Sequence, residues 1–251
     1  MASAAPEPRV VVVTGAGTGV GRAIATTLLE RGHAVVLAGR RRGPLEDMAG
    51  GRPAATPVVT DVADEESVTR LFETAVERHG RVDVLVNNAG TFGPTARVDE
   101  LDLDAWADTW QTNVTGSVLC ARAAVRTMLA QDPAGGRIVN NGSLSAHVPR
   151  PHSLAYTVTK HAITGLTASL QLDLRDVGIA VTQLDIGNAS TAMTAGVSTA
   201  ALQPDGSRRA EATIDADHVA GLVSHVVELP TDVAVPTLTV MARQMPYAGR
   251  G

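Results

Sequence analysis

Short apolar runs, rich in β-branched residues, alternate along this chain with longer segments whose apolar positions recur every three to four residues. The short runs are "RVVVVTGAG" (9–17), "AVVLAGR" (34–40), "ATPVVTDV" (55–62), "VDVLVNNAG" (82–90), "GRIVNNGS" (136–143), "IAVTQLDIG" (179–187) and "VAVPTLTVMA" (233–242). Continuous apolar runs of this length predict strands buried on both faces. The longer segments, 19–31, 65–79, 102–130, 154–177 and 215–228, carry the period of amphipathic helices. About seven strands with helices between them predict an α/β fold, a doubly wound parallel sheet with helices on both faces. No linker interrupts the pattern, so one domain is expected over residues 1–251, with 1–8 a flexible N-terminus. Ligands of such a sheet bind beyond the carboxyl ends of its strands, which directs attention to the residues that follow each run.

The first run ends in "TGAGTGVG" (14–21), between the first strand and the first helix. Gly15, Gly19 and Gly21 let the backbone turn tightly and let a pyrophosphate approach the amides of a helix N-terminus, where partial positive charge lies. In this setting the turn predicts a Rossmann-like dinucleotide site. Four further motifs follow in order. They are "NNAG" at 87–90, Asn113 in "TNVTG", Ser143 thirteen residues before Tyr156, and "YTVTK" at 156–160.

The Gly-x-x-x-Gly-x-Gly spacing and these four motifs together resemble the classical short-chain dehydrogenase/reductase family, over nearly the whole chain. The resemblance implies a nicotinamide cofactor held by Gly15, Thr18, Gly19, Val20 and Gly21. It further implies Asp61 and Val62 at the adenine, and Asn88, Ala89 and Gly90 along the cofactor. Gly187 would keep the tight turn beside the cofactor, Ile186 and Thr191 would hold the nicotinamide carboxamide, and Tyr156 and Lys160 would belong to both the catalytic and the cofactor-binding set. Asn113 takes, by resemblance, the place of an asparagine that disturbs its helix and holds a proton-relaying water. Where the family reads Pro-Gly after the sixth strand, this chain has Ile186-Gly187.

The chemistry such a family performs explains the scarce residues. Of 21 basic side chains only Lys160 is a lysine, and Tyr156 is one of two tyrosines. Hydride transfer to a carbonyl carbon leaves an alkoxide that must receive a proton as it forms. A phenol titrates near 10 in solution and needs help to exchange protons at neutral pH. Lys160, one helical turn after Tyr156, is expected to place a compact positive charge near the phenol oxygen and lower its pKa. Its donors also suit ribose hydroxyls better than the planar fork of arginine would. Ser143 is expected to donate to the carbonyl oxygen and stabilise the developing charge.

The second strand ends in "AGRRRG" (38–43), without the carboxylate that an NAD site uses for its ribose. Arg40, supported by Arg41, is expected to pair with a 2'-phosphate, which predicts NADPH over NADH. Residues 190–212, rich in small residues with Met193, Val197 and Leu202 among them, read as a mobile lid over substrate. His147 and His152 flank the same region and are taken as solvated loop residues. No His, Cys or acidic spacing predicts a metal.

Charge and composition narrow the rest. A net charge of -5 argues against a nucleic-acid or anionic-membrane surface and leaves a small-molecule carbonyl or alcohol as the expected partner. One cysteine, Cys120, cannot form an internal disulfide, and no apolar run reaches the roughly 20 residues of a bilayer span, so a cytoplasmic location is expected. The sequons at Asn113, Asn141 and Asn188 fall on the candidate site and are read as chance matches. The resemblance implies a homo-oligomer, usually a tetramer, with helices 102–130 and 154–177 at one interface and "MARQMPYAGRG" (241–251) at another. The expected activity is an NADPH-dependent carbonyl reductase, reversible as an alcohol dehydrogenase. One rival is a 3-oxoacyl-thioester reductase, which would need a basic patch for an acidic carrier protein, with Arg150, Arg208 and Arg209 as candidates. The other is a regulator that senses NADP(H) without turnover.

Overall fold

The computed structural model describes residues 7–194 and 197–247. Residues 1–6 of the expected N-terminal extension and 248–251 of the expected C-terminal arm thus fall outside the described residues, as do residues 195 and 196 of the expected lid. Seven strands form one sheet: β1 Val10–Thr14, β2 Ala34–Gly39, β3 Ala55–Val59, β4 Val84–Asn87, β5 Gly136–Asn141, β6 Ile179–Ile186 and β7 Thr237–Val240. They run in the order β3-β2-β1-β4-β5-β6-β7, and every neighbouring pair is parallel. Parallel neighbours cannot be joined by tight hairpins, so helical segments cross the faces between them. The helices are α1 Gly19–Glu30, α2 Arg42–Ala49, α3 Glu65–His79, α4 Leu103–Trp110, α5 Gly116–Ala130, α6 Leu154–Asp173 and α7 Ala216–Glu228. The winding reverses between β1 and β4, and that reversal opens the crevice where ligands of such sheets bind.

Successive side chains of a strand leave opposite faces, so a sheet covered on both sides needs apolar residues at every position. Val11, Val13, Leu37 and Val86 pack with Ile24, Leu28, Leu45 and Val223 of α1, α2 and α7. Val12, Val36, Leu85 and Ile138 pack on the other side with Leu71, Phe72, Cys120 and Met128 of α3 and α5. Pro57 sits in β3, where the sheet ends and a missing N–H costs least.

Three departures from the predicted elements have physical reasons. Helix α2 was hidden by Gly43 and Pro44, which look like a turn. Pro44 is tolerated because it lies in the first helical turn, whose N–H groups have no partner within the helix. The single helix expected over 102–130 is two helices joined by a wide π-type turn, Gln111–Thr115, centred on Asn113. The strand expected over 136–143 stops at Asn141, and Ser143 instead caps a short turn, Leu144–Ala146, by accepting the Ser145 N–H.

Candidate active site

The turn after β1 is built from backbone geometry that only glycine adopts cheaply. Gly15 and Gly19 have φ of +65° and +55°. A Cβ on Gly21 would collide with the Gly15 carbonyl and the Asn88 side-chain amide, so α1 packs directly on the turn. The Thr14 hydroxyl accepts the N–H groups of Asn88 and Ala89, both at 2.9 Å, and Asn88 Nδ2 donates to the Thr14 carbonyl at 2.9 Å. These bonds tie the "NNAG" segment after β4 to the glycine turn. Asn141 Nδ2 extends the chain of contacts by donating to Asn88 Oδ1 at 2.9 Å.

Two clefts open at the carboxyl ends of the strands. The first, about 390 Å³, is walled by Gly15 and Thr18, by Arg40 and Arg41, by Asp61 and Val62, and by Ala89 and Gly90. Arg42 is ion-paired with Glu46 at 3.3 Å. Among the described residues, Arg40 and Arg41 have no carboxylate partner, so their charge is available to the cleft. The second, about 620 Å³, is walled by Val20, Asn141, Ser143, Tyr156, Gly187 and Thr191, among others. A Cβ on Gly19 would lie 3.4 Å from Thr191 Cγ2, so the loop after β6 comes down on the glycine turn where the clefts meet. Of the residues expected at the cofactor, Gly15, Thr18, Arg40, Arg41, Asp61, Val62, Ala89 and Gly90 line the first cleft and Val20, Tyr156, Gly187 and Thr191 the second, while Gly19, Gly21, Asn88 and Lys160 line neither.

The second cleft gathers the expected catalytic set. Ser143 and Tyr156 both line the wall of this cleft. The Tyr156 ring packs edge-on against Phe92, with centroids 4.6 Å apart. Lys160 is buried behind the ring, its Nζ 5.5 Å from the ring centroid, and donates to the Asn141 carbonyl at 2.6 Å. Asn113 Nδ2 donates to the Thr91 carbonyl at 2.8 Å and to Thr159 Oγ1 at 3.1 Å, while its Oδ1 accepts the Thr91 N–H at 2.8 Å. Its backbone carbonyl, in the widened turn, accepts the Ser117 hydroxyl at 2.8 Å.

The electrostatics differ from the sequence expectation. Burial pushes the Tyr156 phenol up from its ordinary value, and the Ser143 hydrogen bond and the Arg150 charge offset this only in part. The hydrogen-bond partner of Lys160 is the Asn141 carbonyl. Burial pushes the Lys160 ammonium down to about 8, against the opposing charge of Asp185. The raised phenol runs against the direction expected from Lys160 alone, because burial is the larger influence on it.

A family model described as short chain dehydrogenase matches residues 9–201. The chain belongs to this family. An uncharacterized oxidoreductase of Staphylococcus aureus (strain N315) is 33% identical over 234 residues, covering 92% of this chain and 96% of the relative. A cis-4-hydroxycyclohexanecarboxylate dehydrogenase of Sinomonas cyclohexanicum is 39% identical over 192 residues, 75% of this chain and 76% of that protein. Among solved structures, an alcohol dehydrogenase from Thermococcus sibiricus complexed with 5-hydroxy-NADP superposes with a TM-score of 0.81 at 27% identity, covering 95% of this chain and 98% of that one. This short-chain dehydrogenase is accordingly an oxidoreductase, and among its described residues no helix is long and apolar enough to cross a membrane.

Two polar clusters beside the site escaped the sequence reading. Asp185, fully buried, accepts the Ser143 N–H at 3.0 Å and bonds His147 Nε2 at 2.7 Å, so it braces the serine from beneath. A carboxylate inside the buried β6 run was the available signal. Glu211 receives Arg150 at 2.6 and 3.1 Å, Asn188 at 2.9 Å and Gln203 at 3.0 Å, which ties the expected lid to the loops after β5 and β6. Burial alone would raise the Glu211 carboxyl, but these donors and the Arg150 charge outweigh it and hold it at about 2. No sequence spacing marks this cluster, because its members come from four separate segments.

Proposed function

We propose that this dehydrogenase takes NADPH in preference to NADH and reduces a ketone or aldehyde to an alcohol, reversibly. The observation that carries the reading is the pair of hydroxyls, Ser143 and Tyr156, on the wall of one cleft with Lys160 behind the ring. The residues fit the cofactor. The glycine cradle admits a pyrophosphate, and Arg40 with Arg41 offers unpaired charge for a 2'-phosphate. Bound there, the nicotinamide supplies the hydride in reduction and receives it in oxidation.

The chain's own residues handle the oxygen and the proton. Ser143 Oγ already accepts the Ser145 N–H at 3.1 Å, which leaves its O–H proton free to donate to a carbonyl oxygen. Tyr156 enters the reaction protonated, as its raised pKa requires, and gives its proton to that oxygen as negative charge develops on it. Lys160 braces the Asn141 carbonyl and supplies positive charge under the ring as the phenolate forms. Asn113, at the opened turn, keeps the role that the resemblance implies in restoring the proton from solvent. The outer faces of α4, α5 and α6 expose Leu103, Val118, Leu129, Val158 and Leu172, which supports assembly as a homo-oligomer through them.

A reductase of carrier-bound 3-oxoacyl thioesters is less well supported. Of the three arginines expected to meet an acidic carrier, Arg150 pairs with Glu211 and Arg209 with Asp205. A sensor without turnover would have no use for the hydroxyl pair. The test is consumption of each reduced cofactor over a panel of ketones and aldehydes, with Tyr156→Phe as control. Loss of a general acid predicts a rate lower by a factor of about 10² to 10⁴ with cofactor binding retained. A variant that reduces ketones at the parent rate would refute the mechanism.

A further inference from the structure

The second cleft has a charge pattern opposite to that of the protein. The chain carries 26 acidic residues and a net charge of -5, yet among the described residues no Asp or Glu lines this cleft, whereas Arg150 and Arg208 do. The two arginines are not equivalent. Arg150 is neutralised by its two bonds to Glu211, and Asn188 Oδ1 takes a further Nη2 bond at 3.0 Å. Arg208 spends one donor on the Ala200 carbonyl at 3.2 Å and has no carboxylate partner among the described residues.

Local geometry accounts for the difference between Arg208 and its neighbour. Ala201–Leu202 and Arg208–Arg209 form a two-stranded antiparallel ribbon, in which consecutive side chains leave opposite faces. Leu202, Arg208's cross-strand partner, lines the cleft with it, while Arg209 is turned back onto Asp205 at 2.9 Å. The other walls are largely apolar: Phe92, Val148, Met193, Leu202, Met245 and Tyr247.

We infer that the substrate of this site is an apolar carbonyl or alcohol compound bearing a carboxylate, which Arg208 receives. The inference rests on the reductase reading for the word substrate, but the anion subsite stands on the cleft itself. A guanidinium binds a carboxylate through two parallel hydrogen bonds, and one unpaired arginine matches one negative charge. A phosphate, with its greater charge, would call for a second free cation, and Arg150 is already neutralised.

Binding and turnover separate the subsite from the reaction. Benzoate and the isosteric neutral benzamide are titrated calorimetrically into the enzyme with NADP+ present. Benzoate is expected to bind at least about ten-fold more tightly, as a charge-assisted pair predicts. Arg208→Gln should erase that preference, Arg208→Lys should restore part of it, and Arg209→Gln, outside the cleft, should leave it intact. Equal binding of the two probes by the parent enzyme, or a preference that survives in R208Q, overturns the inference. Turnover is then read with keto acids against their methyl esters. Acids reduced with lower KM than esters agree with the inference, and esters preferred over acids contradict it. A benzoate preference lost in R208Q while no ketone is reduced would uphold the subsite and overturn the reductase reading alone.

Discussion

Asp185 offers the sharpest test of how the site is held. Its side chain is fully buried, with Oδ1 accepting the Ser143 N–H at 3.0 Å and Gln183 Nε2 at 2.9 Å. Oδ2 accepts Gln183 Nε2 at 3.0 Å and pairs with His147 Nε2 at 2.7 Å, the histidine donating. Asp185→Ala strips acceptors from two buried donors, Ser143 N–H and the Gln183 amide, at about 1–3 kcal/mol each. His147 is partly exposed and can turn to water, so it adds little. The expected loss of unfolding free energy is roughly 2–6 kcal/mol. Asp185→Asn keeps an acceptor for Ser143 but turns N–H against the Gln183 amide, so about half that loss is expected. Urea unfolding measures both. An alanine variant within about 0.5 kcal/mol of the parent, the range of an ordinary surface change, would refute the bracing role.

The same substitution carries a signature in activity that simple destabilisation does not share. The Asp185 charge raises the Lys160 pKa against burial, and the two together leave it at about 8. Removing that charge in D185N sends Lys160 lower, so the ammonium is lost at lower pH. The alkaline fall of the ketone reduction rate should therefore move toward neutrality in D185N. An unmoved alkaline limb would mean that Lys160 is not the group titrating there.

Two further outcomes follow from named charges. Arg40→Asp replaces a phosphate partner with a carboxylate that repels phosphate and suits a ribose diol, so the ratio of kcat/KM for NADPH to that for NADH should fall by about 10² or more and invert; an unchanged ratio counts against Arg40. Glu211 has its folded pKa depressed to about 2 from 4.5, so its ion pair with Arg150 stabilises the protein fully above that higher value and less as pH falls toward the lower one. Glu211→Gln should thus cost stability near neutrality, with the gap to the parent narrowing on acidification, as urea unfolding across pH would record; a gap that widens toward low pH would contradict the assignment.

What could be read from the chain and what could not divides along a physical line. The sheet was legible because burial on both faces leaves uninterrupted apolar runs, and the glycine turn because it opens a helix directly after the first of them. The spacing from Ser143 to Tyr156 to Lys160 was legible because a strand end and one helix face hold it rigidly. Helix α2 was hidden because Pro44 is harmless in a first turn, and local composition cannot tell a first turn from a loop. The tuning of the site was hidden for a different reason. The proximity of Lys160 to Tyr156 follows from helical spacing, but the proton affinity of the phenol depends on burial, on Ser143 and on Arg150, which topology alone brings together. Asp185 lies beneath Ser143 because β5 and β6 are adjacent, with Asn141 in register with Leu184, and nothing in either run announces that register. The order of motifs therefore tells which side chains meet at the second cleft. The long-range pairing of strands and loops decides how strongly burial and neighbouring charge act on them, which is why their spacing could be read from the chain and their tuning could not.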